Sequence, residues 1–217
     1  MTRDTDALIE ALVARAHPVR RLAPPGWRAL GLLTLAGSVL LALVLVRGLR
    51  PDLLDCLATT TYVVGVVAAL ATAIVGTIAA LLLAAPDRPR GWIALPLVAA
   101  ALWLGAVGVG CLRAWVPLAP GMVTATELAN CFATVALAAT PVSLGLLWQL
   151  RRAVPLRPGL PLAAAVLAAS GFASVVLSLV HSINASVMIL AWNAAIVGAL
   201  ALASTLAARH LPARDPA

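Results

Sequence analysis

Long apolar runs alternate with short polar breaks along this chain, and six of the runs are long enough to cross a lipid bilayer. They cover approximately 28–46, 60–85, 92–112, 127–149, 161–180 and 186–207. A hydrocarbon core of about 30 Å is spanned by roughly 20 helical residues rising about 1.5 Å each, so every run predicts a transmembrane helix. The breaks carry turn chemistry: Pro51 with Asp52, Pro86-Asp87 with Pro89, Pro117 with Pro120-Gly121, and Pro155 with Pro158-Gly159. No polar-patterned stretch is long enough for a soluble domain of even about 50 residues. The predicted fold class is therefore all-α: a polytopic bundle of six transmembrane helices over residues 27–208, preceded by a segment 1–26 and followed by a tail 209–217.

The opening segment has a different pattern. In DTDALIEALVARA, from Asp4 to Ala16, an apolar stripe of Leu8, Ile9, Leu12, Val13 and Ala16 recurs at helical spacing, with Asp6, Glu10 and Arg15 elsewhere. Asp4, Thr5 or Asp6 would cap its start and Pro18 would stop it. A helix of about 13 residues is marginal in water and is stabilised chiefly by packing its apolar face. Interfacial membrane helices favour basic polar faces and aromatic apolar ones. This segment has three acids and no aromatic before Trp27. A groove on a protein partner is the favoured surface, with a solvated or self-docked tail as the alternative.

Composition sharpens this picture. The 217 residues are 63% hydrophobic and 11% charged, with mean hydropathy +1.04, which excludes a soluble globular protein. The formal charge is +7, and all 15 basic residues are arginines. They cluster in short groups between apolar runs, where they serve as orientation signals and not as a nucleic-acid footprint. Twelve lie in the N-terminal segment, the second and fourth breaks and the C-terminus; only Arg47, Arg50 and Arg113 lie on the other side. That bias predicts both ends in the cytoplasm. With 26 residues before the first run and no small-x-small site after Val46, that run is expected to stay as a helix and not to be cleaved as a signal. Trp27, Trp92, Trp115 and Trp148 fall at span ends as interfacial anchors, whereas Trp103 and Trp192 lie deeper.

No Asp, Glu, Lys or Arg falls in the middle of a span; Arg28 and Glu127 sit at boundaries. Ion-coupled transporters ordinarily need intramembrane ionisable groups, so this absence argues against transport. Gly65, Ala69, Gly76, Gly105, Gly108, Gly198 and Ala201 are spaced for close helix contact, within the chain or in a dimer. Cys56, Cys111, Cys131 and His181 all map to the extracytoplasmic side. There a Cys111–Cys131 disulfide, plain buried thiols, a redox sensor or a soft-metal site each remain open. Without a CxxC motif, the rival reading of a small membrane thiol oxidoreductase lacks the usual means of lowering a thiol pKa.

Several phrases in order make the chain resemble a known family. They are TDALIEAL at the start, HPVRRLAPP before the first span, VRGLRPDL after it, GCLRAW ending the third, Cys131 in the fourth and HSINASVMILAW into the sixth. Together they resemble the NrsF-type anti-sigma factors, six-span bacterial inner-membrane proteins that restrain extracytoplasmic-function sigma factors. The resemblance implies a sigma-factor-binding stripe of Leu8, Ile9, Leu12 and Val13 with Val19, Arg20, Arg21 and Leu22. It also implies that extracytoplasmic cysteines, here Cys111 and Cys131, act in release under metal or oxidative stress, with Cys56 and His181 as additional sensor or metal residues. On this reading the protein is no enzyme, needs no cofactor and touches a sigma factor and the bilayer but no nucleic acid directly.

Overall fold

The computed structural model describes residues 2–14, 23–114, 125–153 and 159–181. These residues form an all-helical structure with no strands. The N-terminal helix α1 covers Thr2–Ala14, and the long helices follow as α2 (Pro25–Arg47), α4 (Thr60–Leu83), α5 (Ala94–Ala114), α6 (Ala125–Ala153) and α7 (Gly159–Val180). A short helix α3 (Leu53–Leu57) interrupts the first break, and a 3-10 turn (Arg90–Ile93) leads into α5. Among the described residues, five helices are long and apolar enough to cross a membrane. They coincide with the first five runs read from the sequence, and the sixth run, 186–207, lies outside the described residues.

The differences from the sequence reading are local. α1 starts at Thr2, two residues early, which places Asp4, Thr5 and Asp6 inside its first turns instead of at a cap. α6 continues to Ala153, four residues past the expected end, because nothing between Trp148 and Ala153 breaks a helix. It also runs through Pro141, which is tolerated where neighbouring helices surround the freed carbonyl. α3 forms after Pro51, where only a turn was expected; five residues are too few to show a period.

Helices α4 and α7 form the centre, with α5 beside α4 and with α6 bridging α7 and α2. Small residues let the central pair approach closely. A Cβ at Gly76 would lie 3.0 Å from the Ala164 carbonyl oxygen, and one at Gly171 would lie 2.6 Å from that of Ala69. Gly65 faces Ala106, whereas Gly105 and Gly108 have open space around them among the described residues. Gly198 and Ala201 lie outside them. The core divides into two layers. One joins α2, α4, α6 and α7 through Leu32, Leu81, Leu146 and Phe172; the other joins α4, α5, α6 and α7 around Trp103, Cys131, Val135 and Leu177. Three buried threonine hydroxyls are satisfied within their own helices, Thr72 donating to the Ala68 carbonyl, Thr77 to that of Ala73 and Thr134 to that of Asn130.

Candidate functional site

Two regions carry the residues singled out by the sequence, one at each end of the bundle. Toward the start of the chain, α1 exposes four residues of its stripe: Leu8, Ile9, Leu12 and Val13 are between 54% and 68% exposed; Ala16 lies outside the described residues. Apolar side chains repeating on one helical face normally lie against something, and no other described element packs extensively on α1. Val19, Arg20, Arg21 and Leu22 lie outside the described residues. After the segment that follows α1, the start of α2 is clamped to the end of α6. The Arg28 guanidinium donates through Nε to Oε1 of Gln149 at 2.9 Å and through Nη2 to the Gln149 backbone carbonyl at 2.8 Å. Arg28, counted from the sequence as an orientation signal, is thus also a buried structural contact.

At the far end, Cys56 sits in a polar cluster. Arg50 is buried and makes a two-pronged ion pair with Asp52, Nε to Oδ1 at 2.8 Å and Nη2 to Oδ2 at 2.6 Å. Its guanidinium lies 5.7 Å from the centre of the Tyr62 ring. Its backbone N–H donates to the Leu179 carbonyl at 3.0 Å, and the Tyr62 hydroxyl donates to that of Ser178 at 2.7 Å. The first break, through Arg50, and the start of α4, through Tyr62, are therefore tied to two adjacent carbonyls at the end of α7, next to His181, whose N–H closes the last turn on Leu177. Within α3 the Cys56 thiol donates to Asp52 Oδ2 at 3.6 Å. Burial pushes this thiol up from its ordinary pKa, Arg50 opposes, and the bond to the Asp52 carboxylate adds to the rise. Asp52 itself is held down to about 2, chiefly by its hydrogen bonds from Arg50.

Cys131 has a different environment. It is 0% exposed and packs within the apolar layer formed with Trp103 and Val135. Both Cys56 and Cys131 are free thiols. Cys111 falls in the last turn of α5, and its side chain lies outside the described residues. No group of three His, Cys, Asp or Glu side chains suited to a metal ion occurs among the described residues.

Sequence reasoning missed the companions of Cys56. Arg50 was counted only for orientation, and Tyr62 was passed over. The available signal was short-range: Asp52 and Cys56 are four apart, the spacing of neighbours on a helix face, and Arg50 and Asp52 flank a proline that holds the backbone in a turn. Tyr62 and the α7 carbonyls are joined to the group only by tertiary packing.

The family model described as NrsF, negative regulator of sigma F, matches residues 12–212. No curated protein and no solved structure matches the chain.

Proposed function

Because this chain belongs to the family of negative regulators of sigma F, we propose that it is a membrane anti-sigma factor that holds an extracytoplasmic-function sigma factor through its N-terminal segment. The family supplies the regulatory role and the sigma-factor partner. The five apolar helices supply the membrane setting. What points to α1 as the holding element is its unpartnered stripe, since four large apolar side chains stand exposed on one face of a helix too short to be stable alone. Leu12 and Val13 lie within the matched span, and Leu8 and Ile9 extend the same face just ahead of it. Burying such a side chain is worth roughly 1.5–3 kcal/mol, so a groove accepting all four would order the helix as it binds.

In this reading the protein resides in the bacterial inner membrane with six spans, 186–207 being the sixth, and with both ends in the cytoplasm. The arginine bias supports that orientation. Release begins at the opposite face, through Cys111 and Cys131 with Cys56 and His181, under thiol, metal or oxidative stress. Cys131 is sealed in the apolar layer. A signal acting there must favour an opened state of the bundle over the packed one, because only a differential preference shifts a two-state equilibrium.

The decisive experiment removes residues 1–22 while membrane insertion is verified. The sigma factor is expected to leave the membrane fraction and its regulon to switch on. Unchanged transcription with the truncated protein correctly inserted refutes docking through this segment. For the sensor, Cys111→Ser combined with Cys131→Ser is expected to abolish induction by stress, and an intact response in that double variant refutes it.

A further inference from the structure

Where α4 ends and α7 begins, the described residues enclose a cavity of about 360 Å³, within the size range of small-ligand sites. Its wall has two characters. Leu83, Ala84, Pro86 and Leu160 are apolar, and Arg88 and Arg90 are cationic. Pro89 separates the two arginines in an extended conformation (φ −65°, ψ 140°), and both arginines line the cavity.

The charge in this cavity is poorly compensated. Arg88 Nε lies 3.9 Å from Asp87 Oδ2, the long limit of an ion pair, and the Asp87 side chain is 73% exposed. Arg90 makes no ion pair with a described residue. Neither the 3-10 turn nor α7 has an acid in its first turn. The start of α7 adds the positive end of its dipole. A phosphate complements these features, and a free inorganic phosphate shares that chemistry. The apolar half of the wall distinguishes the two. Leu83 ends one candidate membrane span and Leu160 begins another, so the cavity sits where acyl chains meet headgroups.

We propose that this cavity binds an anionic phospholipid, its phosphate held by Arg88 and Arg90 and the top of an acyl chain lying along Leu83 and Leu160. A neutral lipid lacks the net charge, and a free phosphate leaves the apolar wall unused.

The test uses the full chain purified in mild detergent, supplied with phosphatidylglycerol, phosphatidylcholine or inorganic phosphate, with retained ligand read by native mass spectrometry. Phosphatidylglycerol is expected to be retained in preference to phosphatidylcholine. Removing both charges with Arg88→Gln and Arg90→Gln is expected to lower retention on the order of tenfold or more. A charge-matched control, Arg47→Gln with Arg151→Gln, leaves the cavity intact and should retain the lipid. Equal loss in both double variants overturns the proposal in favour of general surface attraction. Inorganic phosphate binding as well as the lipid and displacing it also overturns it. So does loss of sigma-factor binding in the cavity variant with lipid retention unchanged, which assigns the arginines to the protein partner. Should the cavity double variant fail to fold, Ala85→Trp keeps both arginines and fills the space; undiminished retention in that variant equally overturns the proposal.

Discussion

At Cys56 two neighbours of opposite charge act on one thiol. Arg50 favours the thiolate, whereas burial and the bond to Asp52 favour the thiol. The balance lies with the thiol, so alkylation of Cys56 at neutral pH is expected to be slower than that of an ordinary exposed cysteine and to accelerate as pH rises past 9, its ordinary value. Replacing Asp52 by Asn removes the opposing carboxylate and should speed the reaction at pH 7. Arg50→Gln should slow it. A maleimide time course on the three proteins reads both signs, and slower labelling of the Asp52→Asn variant would contradict the arrangement. The same pair sets an acid limit. Asp52 is depressed to about 2 from its ordinary 3.8, so the stability it confers is fully present above pH 3.8 and lost as pH falls through 2. Thermal melts between pH 5 and pH 2 should show this loss in the native protein and not in the Asp52→Asn variant. At the other end Gln149→Leu leaves the buried Arg28 guanidinium without its side-chain acceptor and should destabilise by about 1–3 kcal/mol.

At the scale of elements, the closest approach is between α4 and α7, and it is set by two glycines with different tolerances from a third. Gly171→Ala drives a methyl into the backbone of α4, with Ala69 O at 2.6 Å and Ala73 N at 3.0 Å. Gly145→Ala meets side-chain methyl carbons of Leu32 and Leu35, at 2.9 Å and 3.2 Å. Backbone cannot yield as a leucine tip can, so unfolding in mixed micelles should show a loss of about 1–3 kcal/mol for Gly171→Ala and a smaller one for Gly145→Ala. A matching cost for both would mean that helix α7 shifts freely against α4. For α1, Leu12→Ala should weaken capture of the sigma factor by roughly tenfold, the burial of one leucine being worth about 1.5–3 kcal/mol. A pull-down from solubilised membranes measures this, and unaltered capture would place the contact on another face.

For the whole molecule, the two cysteines in described positions differ in access. Cys56 is partly exposed on α3, and Cys131 is sealed between α4, α5, α6 and α7. In intact membranes a bulky, membrane-impermeant maleimide should label Cys56 and spare Cys131. Labelling of Cys131 that appears only on stress would be the signature of the opened state that the proposed release requires; equal labelling of both at rest would remove the need for opening. Reporter fusions at the two termini and within the first break test orientation. Both termini are expected on the cytoplasmic side and the first break on the other, and a C-terminus on the opposite side would leave an odd number of spans.

The apolar runs alone determined that this chain is helical, membrane-length and divided by proline-rich breaks, because hydrocarbon tolerates only backbone whose hydrogen bonds are closed within the segment. The first five runs match the membrane-length helices to within about four residues at each end. The stripe on α1 was equally legible, since a helix fixes which side chains share a face. Tertiary structure decided what periodicity cannot encode: that Arg28 reaches Gln149, 121 positions away, and that Tyr62 reaches Ser178, 116 away. It also decided that Cys56 stands in a charged cluster while Cys131 is enclosed in apolar packing. The sequence assigned three cysteines to one expected face without showing what surrounds each of them. The apolar enclosure of Cys131 is contributed by other helices, and which helices meet depends on contacts such as Gly76 and Gly171 against the facing backbone, where an added methyl would be crowded.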